Sequence, residues 1–212
     1  MFIKHFKTFV YITATSAFFS ASAGSFEDFF VYIRNDNAGA VSELLERGFD
    51  PNTKNEKGQP GLTIAMHERS LKAARVLLGR QVTDVNALNQ AGESALMMAA
   101  LLGDIEGAQL LLDRGAQVNK GGWTPLHYAA TGPEPKLVSL LIERGADLNA
   151  GSPNGTTPLM MAAQYGSEES VKILLDRGAD AKRRSQLNLG AADFARKAGR
   201  DALAARLEAL QR

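Results

Sequence analysis

The sequence has no cysteine. Disulfides, thiol nucleophiles and cysteine metal sites are thereby excluded, and a folded core must hold by packing alone. Histidine is nearly absent: beyond the first 23 residues only His67 and His127 occur. Neither belongs to a metal-ligand spacing, and neither has a nucleophile or acid–base partner nearby in the chain. Aromatic residues make up 7% of the chain, with a single tryptophan, Trp123. No sign of charge dominates, since 24 Lys and Arg face 23 Asp and Glu. A polyanionic partner such as nucleic acid is not favoured by that balance. The one short basic run is Lys182-Arg183-Arg184. No phosphate-cradling glycine loop or nucleophile elbow is present. The chain therefore reads as a non-enzyme with no catalytic residues, no metal and no cofactor.

A membrane-spanning run is also missing. The apolar stretch Phe9 to Phe19 has 11 residues and is broken by Thr13, Thr15 and Ser16. A bilayer-crossing helix needs roughly 20. Lys4 and Lys7 precede the stretch, and Ala21-Ser22-Ala23 follows it with the small-x-small pattern of a signal-peptidase site. The expectation is a secretory signal over 1–23, cut between Ala23 and Gly24. The mature chain, 24–212, is then expected in the bacterial periplasm or secreted, with no membrane insertion. Loss of Lys4 and Lys7 moves its formal charge from +1 to near −1.

What the sequence does contain is repetition. Leu110-Leu111-Leu112-Asp113-Arg114-Gly115-Ala116-Gln117-Val118-Asn119 returns as Leu140-Leu141-Ile142-Glu143-Arg144-Gly145-Ala146-Asp147-Leu148-Asn149. It returns again from Ile173 to Lys182, and a looser copy runs from Glu43 to Asn52. Gly58, Gly92, Gly122 and Gly155 open successive units at spacings of 34, 30 and 33. A period in this range signals a solenoid. Apolar content of 45% with 22% charged residues fits a folded chain.

Within the repeat, Gly122-Trp123-Thr124-Pro125-Leu126-His127-Tyr128-Ala129-Ala130 is followed by Gly155-Thr156-Thr157-Pro158-Leu159-Met160-Met161-Ala162-Ala163. Ser94-Ala95-Leu96-Met97-Met98-Ala99-Ala100 is a third version, and Pro60-Gly61-Leu62-Thr63 a degenerate one. These motifs, in register from about Ser25 to Leu210, resemble the ankyrin repeat family. The resemblance implies an all-α solenoid of helix–turn–helix units with projecting β-turn loops. Local chemistry agrees. Thr124 suits a helix N-cap, Pro125 a first turn, and Gly115 a left-handed helix end. The units are expected at about 25–54, 55–88, 89–119, 120–151, 152–184 and 185–212, the first and last being caps. Phe29, Phe30 and Ile33 are expected to cover one open end of the core. Between Asn119 and Gly122 the chain is three residues short, and Gly132-Pro133-Glu134-Pro135 replaces the usual turn, with Pro135 opening a helix.

The resemblance also implies a role for His127, bracing neighbouring backbone, and a binding face on the concave side. By position within the repeat, that face carries Gln90, Glu93, Met98, Leu101 and Leu102, then Lys120, Trp123, Tyr128 and Thr131, then Asn154, Thr156, Met161, Gln164 and Tyr165. Leu101, Leu102, Trp123, Tyr128 and Tyr165 would form an apolar and aromatic patch of the kind that binds protein. The alternative is packing: Met98 and Leu101 filling gaps between helices, and Trp123 leaning on the shortened loop. The expected partner is another protein of the cell envelope, held by a monomer, with inhibition or self-protection as the outcome. A structural adaptor or chaperone-like scaffold in the periplasm is the other reading.

Overall fold

A computed structural model describes residues 24–210. The expected signal segment, 1–23, lies outside the described residues. Twelve helices follow one another: α1 (24–34), α2 (Ala38–Glu46), α3 (Gly61–His67), α4 (Leu71–Leu78), α5 (Ala95–Leu102), α6 (Ile105–Asp113), α7 (Pro125–Thr131), α8 (Pro135–Glu143), α9 (Pro158–Tyr165), α10 (Glu168–Asp176), α11 (Ala191–Lys197) and α12 (Asp201–Ala209). They pair in order into six helical hairpins. Among the described residues the only strand-like pairing is one bridge between Lys54 and Pro60. The fold is an all-α repeat solenoid.

First helices stack in one row, α3 on α5 on α7 on α9 on α11, and second helices in another, α2 on α4 on α6 on α8 on α10. The two rows share one continuous core. Ala99, Ala100, Ala129, Ala130, Ala162, Ala163, Ala191 and Ala192 are all buried in the first row. Their small side chains let helix axes approach closely. The approach is tightest where the hairpin turns. A Cβ placed on Gly166 would sit 2.1 Å from the Ala130 carbonyl oxygen, and one on Gly132 would sit 2.7 Å from that of Ala100. Neither glycine has a positive φ, so contact with the preceding helix, not backbone conformation, selects glycine there.

The loops are held by a ladder of asparagines. Asn52 Oδ1 accepts the backbone N–H of Asp84 at 2.7 Å, Asn86 that of Gln117 at 2.8 Å, Asn119 that of Asp147 at 2.9 Å and Asn149 that of Asp180 at 2.8 Å. Each rung ties one unit to the next. The ladder stops at the next repeat position, where Lys182 follows. On the outer row, Arg144 pairs with Asp113 and Arg177 with Glu143, both at 3.4 Å, and Arg80 pairs with Glu46 at 3.8 Å. These pairs are solvent-exposed, so each contributes about 0–1 kcal/mol at most.

Local details match the sequence reading in most places. Pro125 and Pro135 each open a helix, and Gly58, Gly92, Gly122 and Gly155 all have φ between 67° and 79°. Phe29 and Ile33 are fully buried and Phe30 nearly so. The degenerate second motif has a packing cause: a Cβ on Gly61 would lie 2.9 Å from Ile33 Cδ1 and 3.0 Å from the Phe29 ring. The larger residue found in other units would lift α1 off α3. Thr124 is the N-cap residue of α7, as expected. The Thr124 hydroxyl does not cap a helix N–H but lies 2.8 Å from His127 Nδ1. With Nδ1 unprotonated, the hydroxyl donates to the ring. Where the slot holds Met, at Met97 and Met160, the Ser94 and Thr157 hydroxyls do accept a helix N–H.

Candidate functional site

The concave side is built from the turn loops and the exposed faces of the first helices. Depressions among the described residues include two on it. The smaller, 250 Å³, is lined by Leu101 from α5, Trp123 from the shortened loop, His127, Tyr128 and Thr131 from α7, and Met161 from α9. Three adjacent units thus meet in one apolar pocket. The larger, 780 Å³, runs over the first three units and includes Phe26, Phe30, Thr63, Ile64, Met98 and Leu101 in its walls. Leu101 borders both.

His127 positions the smaller depression from beneath. It is fully buried. Its Nδ1 accepts the Thr124 N–H at 3.2 Å, and its Nε2 lies 2.9 Å from the Thr156 carbonyl in the next loop. That pattern fits a neutral ring donating from Nε2. The Trp123 indole packs edge-on to it, with ring centroids 5.2 Å apart. Burial lowers the His127 pKa from its usual 6.5, and the backbone bond to Thr156 only partly opposes this. The unfolded chain therefore takes up a proton near pH 6.5 that the folded chain refuses. Stability from this group is complete above pH 6.5 and is lost as pH falls below it toward the folded-state value. His127→Met, copying the neighbouring units, should abolish this part of the acid sensitivity. It should also cost about 1 kcal/mol at neutral pH through the lost bond to Thr156. Thermal melts of both proteins at pH 7.5 and pH 5 would check this, since the gap between them should narrow in acid.

Tyr128 reaches across to the preceding unit. Its phenol donates to Glu93 Oε1 at 2.8 Å, and Asn89 Nδ2 donates to Glu93 Oε2 at the same distance. Burial and the Glu93 carboxylate both push the Tyr128 pKa well above 10. Tyr128 thus presents a fixed ring face, with its hydroxyl already engaged. Lys120 Nζ donates to the Trp123 carbonyl at 3.3 Å and holds the shortened loop.

Of the residues expected on the binding face, Leu101, Trp123, Tyr128, Thr131 and Met161 come together in the smaller depression. Met98 and Glu93 fall on the wall of the larger one, Met98 being buried. Leu102, Gln164 and Tyr165 line neither. Leu102 is half-buried at the end of α5, where Arg69 donates to its carbonyl. Tyr165 closes α9 and is 63% exposed. The larger groove was not anticipated. Its signal in the sequence is Thr63, a short residue in the slot that holds His127 or Met elsewhere.

A family model described as ankyrin repeats in three copies matches residues 29–121 and 118–185. The chain belongs to the ankyrin repeat family. It is 31% identical over 124 residues to a putative ankyrin repeat-containing protein of Treponema pallidum, covering 57% of this chain and 42% of that protein. It is 34% identical over 134 residues to SH3 and multiple ankyrin repeat domains protein 1 of Mus musculus, covering 60% of this chain and 6% of that one. It is 29% identical over 113 residues to transient receptor potential cation channel subfamily A member 1 of Homo sapiens, covering 52% and 10%. The chain spans less than half of each of these relatives. Ankyrin repeats mark the chain as a protein–protein interaction module, and the repeat fold is in general not a catalytic one. No described helix is long and apolar enough to cross a membrane.

Proposed function

We propose that this chain is an exported module that binds a cell-envelope protein through its concave face and acts by occupying that protein, as an inhibitor or self-protection factor. The observation that carries the binding reading is the depression shared by Leu101, Trp123, Tyr128 and Met161. It sets one tryptophan and one tyrosine, residue types enriched in binding hot spots, around a partly exposed leucine. Export rests on Lys4, Lys7, the apolar stretch Phe9 to Phe19 and Ala21-Ser22-Ala23. Function by occupancy, rather than by chemistry, is supported by a site in which His127 is engaged in holding backbone.

Crosslinking in the native host, followed by purification of the complex, tests the binding reading. An envelope protein should be recovered, and its recovery should fall with Trp123→Ala. Recovery that is indifferent to this substitution would remove the concave depression as the site. Mass spectrometry of protein from the same host tests export: the expected N-terminus is Gly24, and an intact Met1 would sink the export reading.

A further inference from the structure

Thr63 occupies the slot held by His127 in the fourth unit and by Met97 and Met160 in the third and fifth. Those longer side chains fill the space beneath the turn loop. Thr63 does not. It is buried at 3% exposure, and its hydroxyl has no hydrogen-bond partner. A buried hydroxyl without a partner destabilises the folded state, so the short side chain is kept here at a cost in stability.

The groove that Thr63 lines has a volume of 780 Å³. Its apolar floor comes from Phe30, Ile64 and Met98, each under 10% exposed, with Leu101 at one end. Its rim is charged. The carboxylates Glu27, Glu56, Glu68 and Glu93 face only two permanent cations, Arg34 and Lys57. Glu93 is engaged by Tyr128 and Asn89, and Glu68 by His67. The Glu27 and Glu56 carboxylates carry no hydrogen bond or ion pair among the described residues. Two unengaged carboxylates beside an apolar trough attract a cation attached to an aliphatic chain.

We infer that this groove takes an extended partner segment in which Lys or Arg stands next to aliphatic residues. The aliphatic side chain lies on Phe30, Ile64 and Met98. The cation meets Glu27 and Glu56 at the rim. The inference rests on the protein-binding reading and gives the partner its chemistry.

Thr63→His decides it. In the fourth unit the ring at this position reaches the carbonyl of Thr156, just after the turn glycine. The corresponding carbonyl in the third unit belongs to Glu93. A histidine at 63 would therefore fill the groove and gain a bond between units, so the variant should melt no lower than the wild type. The probe is a randomised twelve-residue peptide library selected on the full protein. Selected peptides should be enriched in Lys or Arg beside aliphatic residues. A synthetic copy should lose at least tenfold in affinity on Thr63→His, and again on the surface double variant Glu27→Lys with Glu56→Lys. Peptides without that composition, or with affinity unchanged by both variants, overturn the groove. If those same peptides are lost on Trp123→Ala, binding belongs to the smaller depression and the module reading stands. Failure to select any peptide counts against both.

Discussion

Replacing Leu111 with Ala is expected to destabilise the fold by about 2–5 kcal/mol, through lost burial and the cavity left behind. Leu111 is completely buried in the C-terminal half of α6. It stands in the third of six hairpins, so the loss falls in the middle of the stack. A repeat array holds together through interfaces between neighbours, and weakening a central unit weakens its coupling to both sides. Unfolding should therefore become less cooperative as well as easier. Urea titration followed by two probes would show this. Helical circular dichroism reports all units, whereas fluorescence of Trp123, the single tryptophan, reports the fourth. In the wild type the two curves should coincide; in the variant they should separate. A loss below about half a kcal/mol is surface behaviour and would show that Leu111 does not pack in the core.

The solenoid was legible in the sequence because its determinants are local and repeated. Leucine triplets, turn glycines and the Thr-Pro or Ser-Ala helix starts recur in register, so each copy corroborates the others. The asparagine ladder rests on the residue that ends the repeated segments at Asn52, Asn119 and Asn149 but not the one at Lys182, and its bonds could not be read from the sequence. The concave face was harder to read. Helix α5 is Ala95-Leu96-Met97-Met98-Ala99-Ala100-Leu101-Leu102, apolar at every position. No polar residue marks its outer side, so the sequence could not say whether Leu101 or Leu102 faces the partner side. The structure places Leu101 in the depression. Tyr165 lies outside the depression for a different reason. It ends α9 just before Gly166, whose contact with Ala130 fixes the turn, and the ring projects beyond the pocket.

The N-terminal groove was illegible for a third reason. A degenerate motif reads as a decayed repeat, and only the packed structure shows that Gly61 admits the phenylalanine cap while Thr63 leaves space beneath the loop. The same substitutions that weaken the family pattern open the larger of the two depressions. Departures from a repeat consensus are thus informative in different ways, one about packing and one about the shape of the surface.

Trp123→Ala is expected to weaken partner binding by about 2 kcal/mol or more, the scale of a hot spot. That is about a thirtyfold loss of affinity. The indole is half-buried, packs edge-on to His127 and forms one wall of the depression that Leu101, Tyr128 and Met161 complete. Its removal leaves the pocket shallow and exposes His127. Some folding stability should go with it, but less than for Leu111→Ala, because Trp123 sits on the loop and not between the helix rows. Calorimetric titration against the crosslinked partner, beside circular dichroism of the same variant, separates the two effects. Glu208→Ala is the control: Glu208, exposed on α12 and away from the depression, pairs with Arg196 of α11. It should leave affinity unchanged. Tyr165→Ala, outside the pocket, should cost less than Trp123→Ala. If Trp123→Ala stays folded and binds normally, the depression is not the contact. If it unfolds the fourth unit, Trp123 belongs to the packing that replaces the three residues missing between Asn119 and Gly122.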